Sequence, residues 1–255
     1  MKIHIKTPQE LEAMKKGGKI LSSTMWEVLK HVKPGVTELE IDALAEKHIL
    51  SMGGKPGFKA VRGYHHTICA STNDVVVHGI PTSYALRSGD VFGIDCGVLF
   101  DGFHTDMAET VIVGGEEKAS KEVVQFLKTG KKALEEALAQ VKPGNRIGHI
   151  SQVIQQIVEK DGGYGVTREL IGHGVGKKLH EDPPVPGYLS RRLEKTPLLV
   201  EGMVIAVEVI YNMGKKEIAF AGTDDWTIKS RDGSLSGLFE RTVAVTATGH
   251  RILTP

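Results

Sequence analysis

The sequence predicts an α+β fold built from two similar halves. Three observations carry that expectation: a repeated four-residue turn, helix-type spacing on both sides of each copy, and strand-type runs closing each half. The turn Val32-Lys33-Pro34-Gly35 returns letter for letter as Val141-Lys142-Pro143-Gly144. Both copies sit between helical stretches and are followed by strands, and that matching order points to an internal duplication. A duplicated α+β unit places a ligand site at the junction of its halves, where pockets commonly form.

The first helix starts at Thr7-Pro8-Gln9-Glu10. Thr7 can cap, Pro8 suits the first helical position, and Glu10 completes a capping box. Behind it Leu11, Met14, Ile20, Leu21, Met25 and Leu29 recur at near-helical spacing. That helix should stop before Val32-Lys33-Pro34-Gly35. Thr37-Glu38-Leu39-Glu40 repeats the capping pattern and opens a second helix to about Leu50. In the second half the helical runs span 120–140 and 147–158. The strand-rich stretches are 67–77, 91–113, 203–211 and 241–247. No Gly/Ser/Pro-rich linker separates the halves, so the chain reads as a single catalytic domain, 1–255, with lobes of about 1–118 and 119–255.

The chain has 255 residues, enough for a full core. Its formal net charge of +1 argues against bulk electrostatic binding to nucleic acid or anionic membrane. Cys69 and Cys96 are the only cysteines, too few for a disulfide framework and wrongly spaced for zinc. A reducing, cytoplasmic setting follows. The start has basic residues with no apolar run behind them, so no signal peptide is expected. No apolar stretch is long enough to span a bilayer.

The chemistry begins with the apolar runs on either side of Asp101-Gly102, a strong hairpin signal. A two-residue turn there sets Phe100 opposite Phe103, Leu99 opposite His104 and Gly97 opposite Asp106. Asp95 then shares a face with Asp106 as a diagonal neighbour. Two carboxylates on one face of an apolar hairpin repel unless a cation lies between them. His173 stands among glycines in Gly172-His173-Gly174-Val175-Gly176, which suggests tight backbone and close approach to a ligand. Glu208 interrupts an otherwise apolar strand, a costly position unless paired or metal-bound. Glu240 directly precedes the 241–247 strand and alone would pass as a strand-edge acid paired with Arg241. Asp95, Asp106, His173, Glu208 and Glu240 make a hard, oxygen-rich set. It suits Mn²⁺, Fe²⁺ or Co²⁺ better than a thiolate zinc site, and with bridging carboxylates it suits two ions.

At this point the sequence resembles the type I methionine aminopeptidases, whose duplicated architecture is the pita-bread fold: a central curved antiparallel sheet with helices on its outer face. The resemblance runs from about Thr7 to Leu253. Ser71 through Pro81 is similar to the family's histidine-bearing strand and turn, placing His78. Asp95, Asp106, His173, Glu208 and Glu240 fall on the family's metal ligands, with Asp106 and Glu240 bridging, and His180 on its second active-site histidine. Tyr64, Cys69 and Trp226 match walls of the methionine pocket. The resemblance implies a two-metal, activated-water aminopeptidase that removes the initiator methionine from nascent polypeptides, preferring a small second residue. In that scheme Glu208 moves the proton, His180 stabilises the oxyanion and His78 contacts the scissile amide. Methionyl peptides and nascent chains are the expected partners, with possible docking at the ribosome, a monomeric state and no nucleic acid.

Some positions depart from the family. Phe58 and Val61 stand where many bacterial members carry cysteine and tyrosine, and Leu179 replaces a usual phenylalanine. Val209 follows Glu208 where proline is usual, and Arg241 follows Glu240 where histidine is usual. Three rivals weigh against this reading: a non-catalytic pita-bread binding module, a small X-Pro peptidase of the same fold, and an unrelated metal-binding structural protein. The short interval between His180 and Glu208 lacks the type II insertion, and no extra N-terminal domain of the prolidase kind is expected.

Overall fold

The computed structural model describes residues 2–222 and 224–255. Its helices are α1 (Pro8–Leu29), α2 (Glu38–Ser51), α3 (Lys121–Leu138) and α4 (Ile147–Gln155). The strands are β1 (Lys55–Pro56), β2 (Ile68–Thr72), β3 (Val75–Val77), β4 (Val91–Phe100), β5 (Phe103–Ile112), β6 (Gly165–Val166), β7 (Gly172–Gly174), β8 (Glu181–Val185), β9 (Val204–Asn212), β10 (Ile218–Phe220), β11 (Ile228–Ser230), β12 (Ser236–Val245) and β13 (His250–Ile252).

Helix starts follow the local chemistry. Thr7 Oγ1 accepts from the Glu10 backbone N–H, and Glu10 Oε2 accepts from the Thr7 N–H. Thr37 and Glu40 repeat this exchange at α2, and Ser120 caps α3. Each box satisfies two N–H groups that the first turn leaves without partners. The run expected to remain helical to 158 changes at Gln156 to π-helical spacing, which continues to Asp161. The wider turn keeps Val158 fully buried and brings Glu159 to Arg168, 2.6 Å away. Helix α1 presents Met14, Leu21, Met25 and Val28 to the core. It also carries Gly18, where a Cβ atom would lie 2.1 Å from the Leu253 carbonyl oxygen. A helical glycine costs roughly 1 kcal/mol relative to alanine, and here it admits the Leu253 backbone just past β13.

The main sheet runs β1-β4-β5-β12-β9-β7-β8, with β2 also on β4, β6 on β9 and β13 on β12. All its pairs are antiparallel. Side chains alternate across it. Phe92, Ile94, Cys96 and Val98 of β4 pack under α1 and α2. Ile205, Val207, Val209 and Tyr211 of β9 pack under α3 and α4. The residues between them, Asp95 and Glu208 included, face the other way, so the sheet's helix-free face collects the polar groups. A small sheet, β10-β11-β3, adds Val76, Val77 and Ile228 to an apolar cluster with Ile210 and Leu238.

The β4–β5 hairpin has the expected register: Phe100 pairs with Phe103, Leu99 with His104 and Gly97 with Asp106. Asp101 and Gly102 have φ of 49° and 80°, and two positive values are what a type I′ turn demands. One boundary differs. Strand β12 begins at Ser236, so Glu240 lies mid-strand, opposite Glu208 on β9 and Ala108 on β5. Arg241 is not its side-chain partner, because alternation sends Arg241 to the helix side. There it pairs with Glu109 and lies over the Trp26 ring.

The seam between β5 and β12 has only two registered backbone pairs, Glu240 with Ala108 and Arg241 with Met107. Threonine hydroxyls stitch its two ends. Thr242 Oγ1 accepts from the Asp106 N–H and donates to the Asp106 carbonyl, both at 2.8 Å. Thr110 Oγ1 makes the same double exchange with Leu238, at 3.0 and 2.7 Å.

Candidate active site

Five strands deliver five ligand-type side chains to one place beside this seam. Asp95 comes from β4, Asp106 from β5, His173 from β7, Glu208 from β9 and Glu240 from β12. Single ligand atoms of Asp106, His173 and Glu240 lie within 4.8 Å of one another. His173 Nε2 is 3.4 Å from Glu208 Oε1 and 4.0 Å from Asp106 Oδ2. The other ring nitrogen, Nδ1, is 2.9 Å from the Gly174 carbonyl oxygen. A carbonyl only accepts, so Nδ1 carries the proton and the Nε2 lone pair faces the carboxylates.

The glycines around His173 serve the backbone. A Cβ at Gly172 would lie 2.5 Å from the Ala206 carbonyl oxygen, and one at Gly174 would lie 2.1 Å from that of Asp182. The close approach expected there is between strands of the sheet.

Burial raises every carboxyl of the cluster. Asp95 is pushed to about 7 and Glu208 to about 8. Asp106 and Glu240 are held well above the ordinary carboxylate range, first by burial and then by the neighbouring acids. Burial moves His173 the other way, down to about 4, with His180 adding to the shift. Asp95 Oδ1 and Glu240 Oε1 are buried and have no hydrogen-bond partner among the described residues. Unpartnered carboxylate oxygens in a dry cluster of four acids are costly unless cations hold them. The donor set therefore fits divalent metal ions with oxygen preference.

The cluster floors a cavity of about 250 Å³, and His78, His180, Tyr64, Cys69 and Trp226 line it as well. All ten residues singled out from the sequence meet here. His78 has a φ of 56°, a left-handed conformation that a non-glycine residue holds only when its surroundings require it. Burial lowers the His78 and His180 imidazoles, so both are neutral near pH 7. The rings of His173 and His180 lie 4.3 Å apart, edge to face. Tyr64 stacks edgewise on Trp226 at 5.1 Å and donates its hydroxyl to the Ile68 carbonyl. Burial pushes the Cys69 thiol well up, which leaves it a small apolar wall and no nucleophile.

The departures Phe58, Val61 and Leu179 line this same cavity, and Phe58 meets Tyr64 edge to face. Val209 is buried in the outer core instead. Val77, Glu169, Leu170, Ile171 and Ile210 also line the cavity and were not anticipated. Ile210 was accessible by alternation, since it lies two residues beyond Glu208 on the same strand face. Leu170 and Ile171 carry no pattern of their own beyond preceding Gly172-His173.

Residues 12–247 match the model of metallopeptidase family M24. The chain is 41% identical over 249 residues to a methionine aminopeptidase 1 of Bacillus subtilis, covering 98% of each protein. It is 40% identical over 252 residues to a methionine aminopeptidase of Clostridium perfringens, covering 99% of this chain and 98% of that one. Among solved structures, a methionine aminopeptidase from Thermotoga maritima superposes with a TM-score of 0.94 at 36% identity, covering 99% of both chains. A prolidase from Pyrococcus furiosus shares the fold at a TM-score of 0.78 and 24% identity, covering 98% of this chain and 65% of that one.

Proposed function

The chain belongs to metallopeptidase family M24, and from that premise we propose how its own residues carry out the reaction. It is a pita-bread hydrolase, a metal-dependent aminopeptidase that removes N-terminal methionine. The observation that carries the site assignment is the cluster of buried, unpartnered carboxylate oxygens flooring a cavity with an apolar aromatic wall.

Asp106 and Glu240 would be shared by two ions, with Asp95 completing one site and His173 and Glu208 the other. Cobalt, manganese or iron(II) ions there would polarise the carbonyl and bring the pKa of bound water towards roughly 7. Glu208 Oε takes the proton of the attacking water and returns it to the leaving amine nitrogen, which balances hydrolysis of the peptide bond. Neutral His180 donates its N–H to the carbonyl oxygen as negative charge develops there. His78 contacts the scissile amide nitrogen. Tyr64, Cys69 and Trp226 form the slot for the methionine side chain, and the closed walls favour a small second residue.

Several further features belong to the same reading. The chain acts as one catalytic domain of two related lobes, about 1–118 and 119–255. The strand order supports this, since β2-β4-β5 and β7-β9-β12 meet at the seam in mirrored sequence. It works in the cytoplasm as a monomer, on nascent chains. Two free, buried cysteines suit a reducing compartment. No helix among the described residues is long and apolar enough to cross a membrane.

The test is release of free methionine from a Met-Ala-Ser peptide by metal-stripped protein, before and after adding Mn²⁺, Co²⁺ or Fe²⁺. Metal-dependent release from the free peptide, and none from an N-terminally blocked one or from an X-Pro panel, is expected. Absence of release with every metal, in folded protein, would overturn the reading.

A further inference from the structure

Lys6 is the one lysine buried among the described residues, at 4% exposure. Its side chain serves neither the cavity nor the surface. Nζ donates to Glu181 Oε2 at 2.8 Å and to the His4 carbonyl at 3.3 Å. The other Glu181 oxygen accepts from the Lys178 N–H at 3.1 Å. Lys178 in turn accepts from the Gly176 N–H at 3.0 Å, so the pair closes the turn that ends in His180. There is no slack in this packing. A Cβ at Gly176 would come within 2.7 Å of Lys6 Cε and 2.8 Å of the Glu181 carboxylate. The turn is also tied to the hairpin, because the His104 N–H donates to the Gly176 carbonyl at 2.7 Å. The Lys6 backbone is itself anchored, donating to the Gly202 carbonyl at 2.8 Å. An ion pair this dry contributes little net stability over an apolar pair of equal volume, but it holds its partners in one arrangement.

We propose that Lys6 is a positioning residue for His180: its ammonium holds the Glu181 carboxylate, and the pair fixes the turn from which His180 enters the cavity. A segment ahead of the first helix thereby sets the geometry of a catalytic group. The inference rests on the role given to His180 above.

The experiment compares the metal-loaded full chain with Lys6→Met, His180→Ala and the combined variant, reading kcat, KM, metal content and thermal midpoint. Lys6→Met should lower kcat by roughly ten- to a hundredfold, as small misplacements of a catalytic group do. KM and metal content should change little. In the His180→Ala background the same substitution should cost nothing further, because both changes act on one step. An equal loss in both backgrounds, or an unchanged kcat in the parent, would overturn the proposal. Lys6→Met leaves the largely covered Glu181 carboxylate without its ammonium, which destabilises the fold. Lys6→Met with Glu181→Gln removes both charges, should fold, and should show the same fall in kcat; full kcat there would also overturn the proposal. Full activity in His180→Ala alone would instead sink the role of His180 itself.

Discussion

Stripping the divalent cations should make the protein lose stability as pH rises. The perturbation leaves Asp95, Asp106, Glu208 and Glu240 without a counter-ion. In the unfolded chain such groups ionise near pH ~4. In the fold burial raises all four, Asp95 to about 7 and Glu208 to about 8. The folded state therefore holds protons that the unfolded state has released. That contribution is fully present below the unfolded values and is lost as pH climbs through the folded ones. Asp95 and Glu208 alone contribute about 1.4 kcal/mol per pH unit each, on the order of 5 kcal/mol between about pH 5 and pH 7. For a chain of this length that lowers the thermal midpoint by roughly 10–20 °C. Calorimetric melts of chelator-treated protein across that range measure it directly. Saturating Mn²⁺ should flatten the slope, since the ions replace the protons. A metal-free midpoint that holds steady or rises with pH would refute the picture of four buried carboxylates crowded without a counter-ion. A slope unaffected by metal would refute the ligand assignment.

Other substitutions separate the roles around the cavity. Asp106→Asn should lose bound metal by elemental analysis, and retained stoichiometry would contradict its shared position. His180→Ala should cut turnover by about 10²–10³-fold with metal content intact, the usual cost of an oxyanion donor. Cys69→Ser should leave metal untouched and shift only the kinetics of methionine release; metal loss would place it among the ligands. Gly18→Ala should destabilise the fold by about 1–3 kcal/mol through overpacking against Leu253, readable in a urea titration, and an unchanged midpoint there would mean the Leu253 backbone yields freely.

The parts of this fold that were legible in the sequence are those decided within a few residues. Thr7 with Glu10 and Thr37 with Glu40 place helix starts because a capping box satisfies backbone donors locally. Asp101-Gly102 places a whole hairpin register, and with it the relation between Asp95 and Asp106, because a two-residue turn leaves no freedom further along. The strand that carries Glu240 starts at Ser236 and not at Arg241, because its beginning depends on pairing with β9, which local sequence does not report. The glycines flanking His173 were visible as a constraint, but only the neighbouring strands reveal that backbone presses on them. Lys6 and Glu181 had no signature at all, since the contact joins distant segments and each residue alone passes for ordinary surface charge. Phe58, Val61 and Leu179 were noticed singly, and only the fold shows that they reshape one wall together.

The threonine stitches across the seam have a consequence of their own. An ordinary sheet is sewn by backbone, which no point mutation can unpick, whereas Thr110 and Thr242 tie β5 to β12 through hydroxyls. The tightness of the join, and with it the spacing of Asp106 from Glu240, is therefore written in two heritable side chains. Each can be erased by a valine of nearly equal shape, at the cost of one stranded N–H and one stranded carbonyl. A lineage could loosen or tighten its grip on metal by editing the stitching and leave every ligand in place.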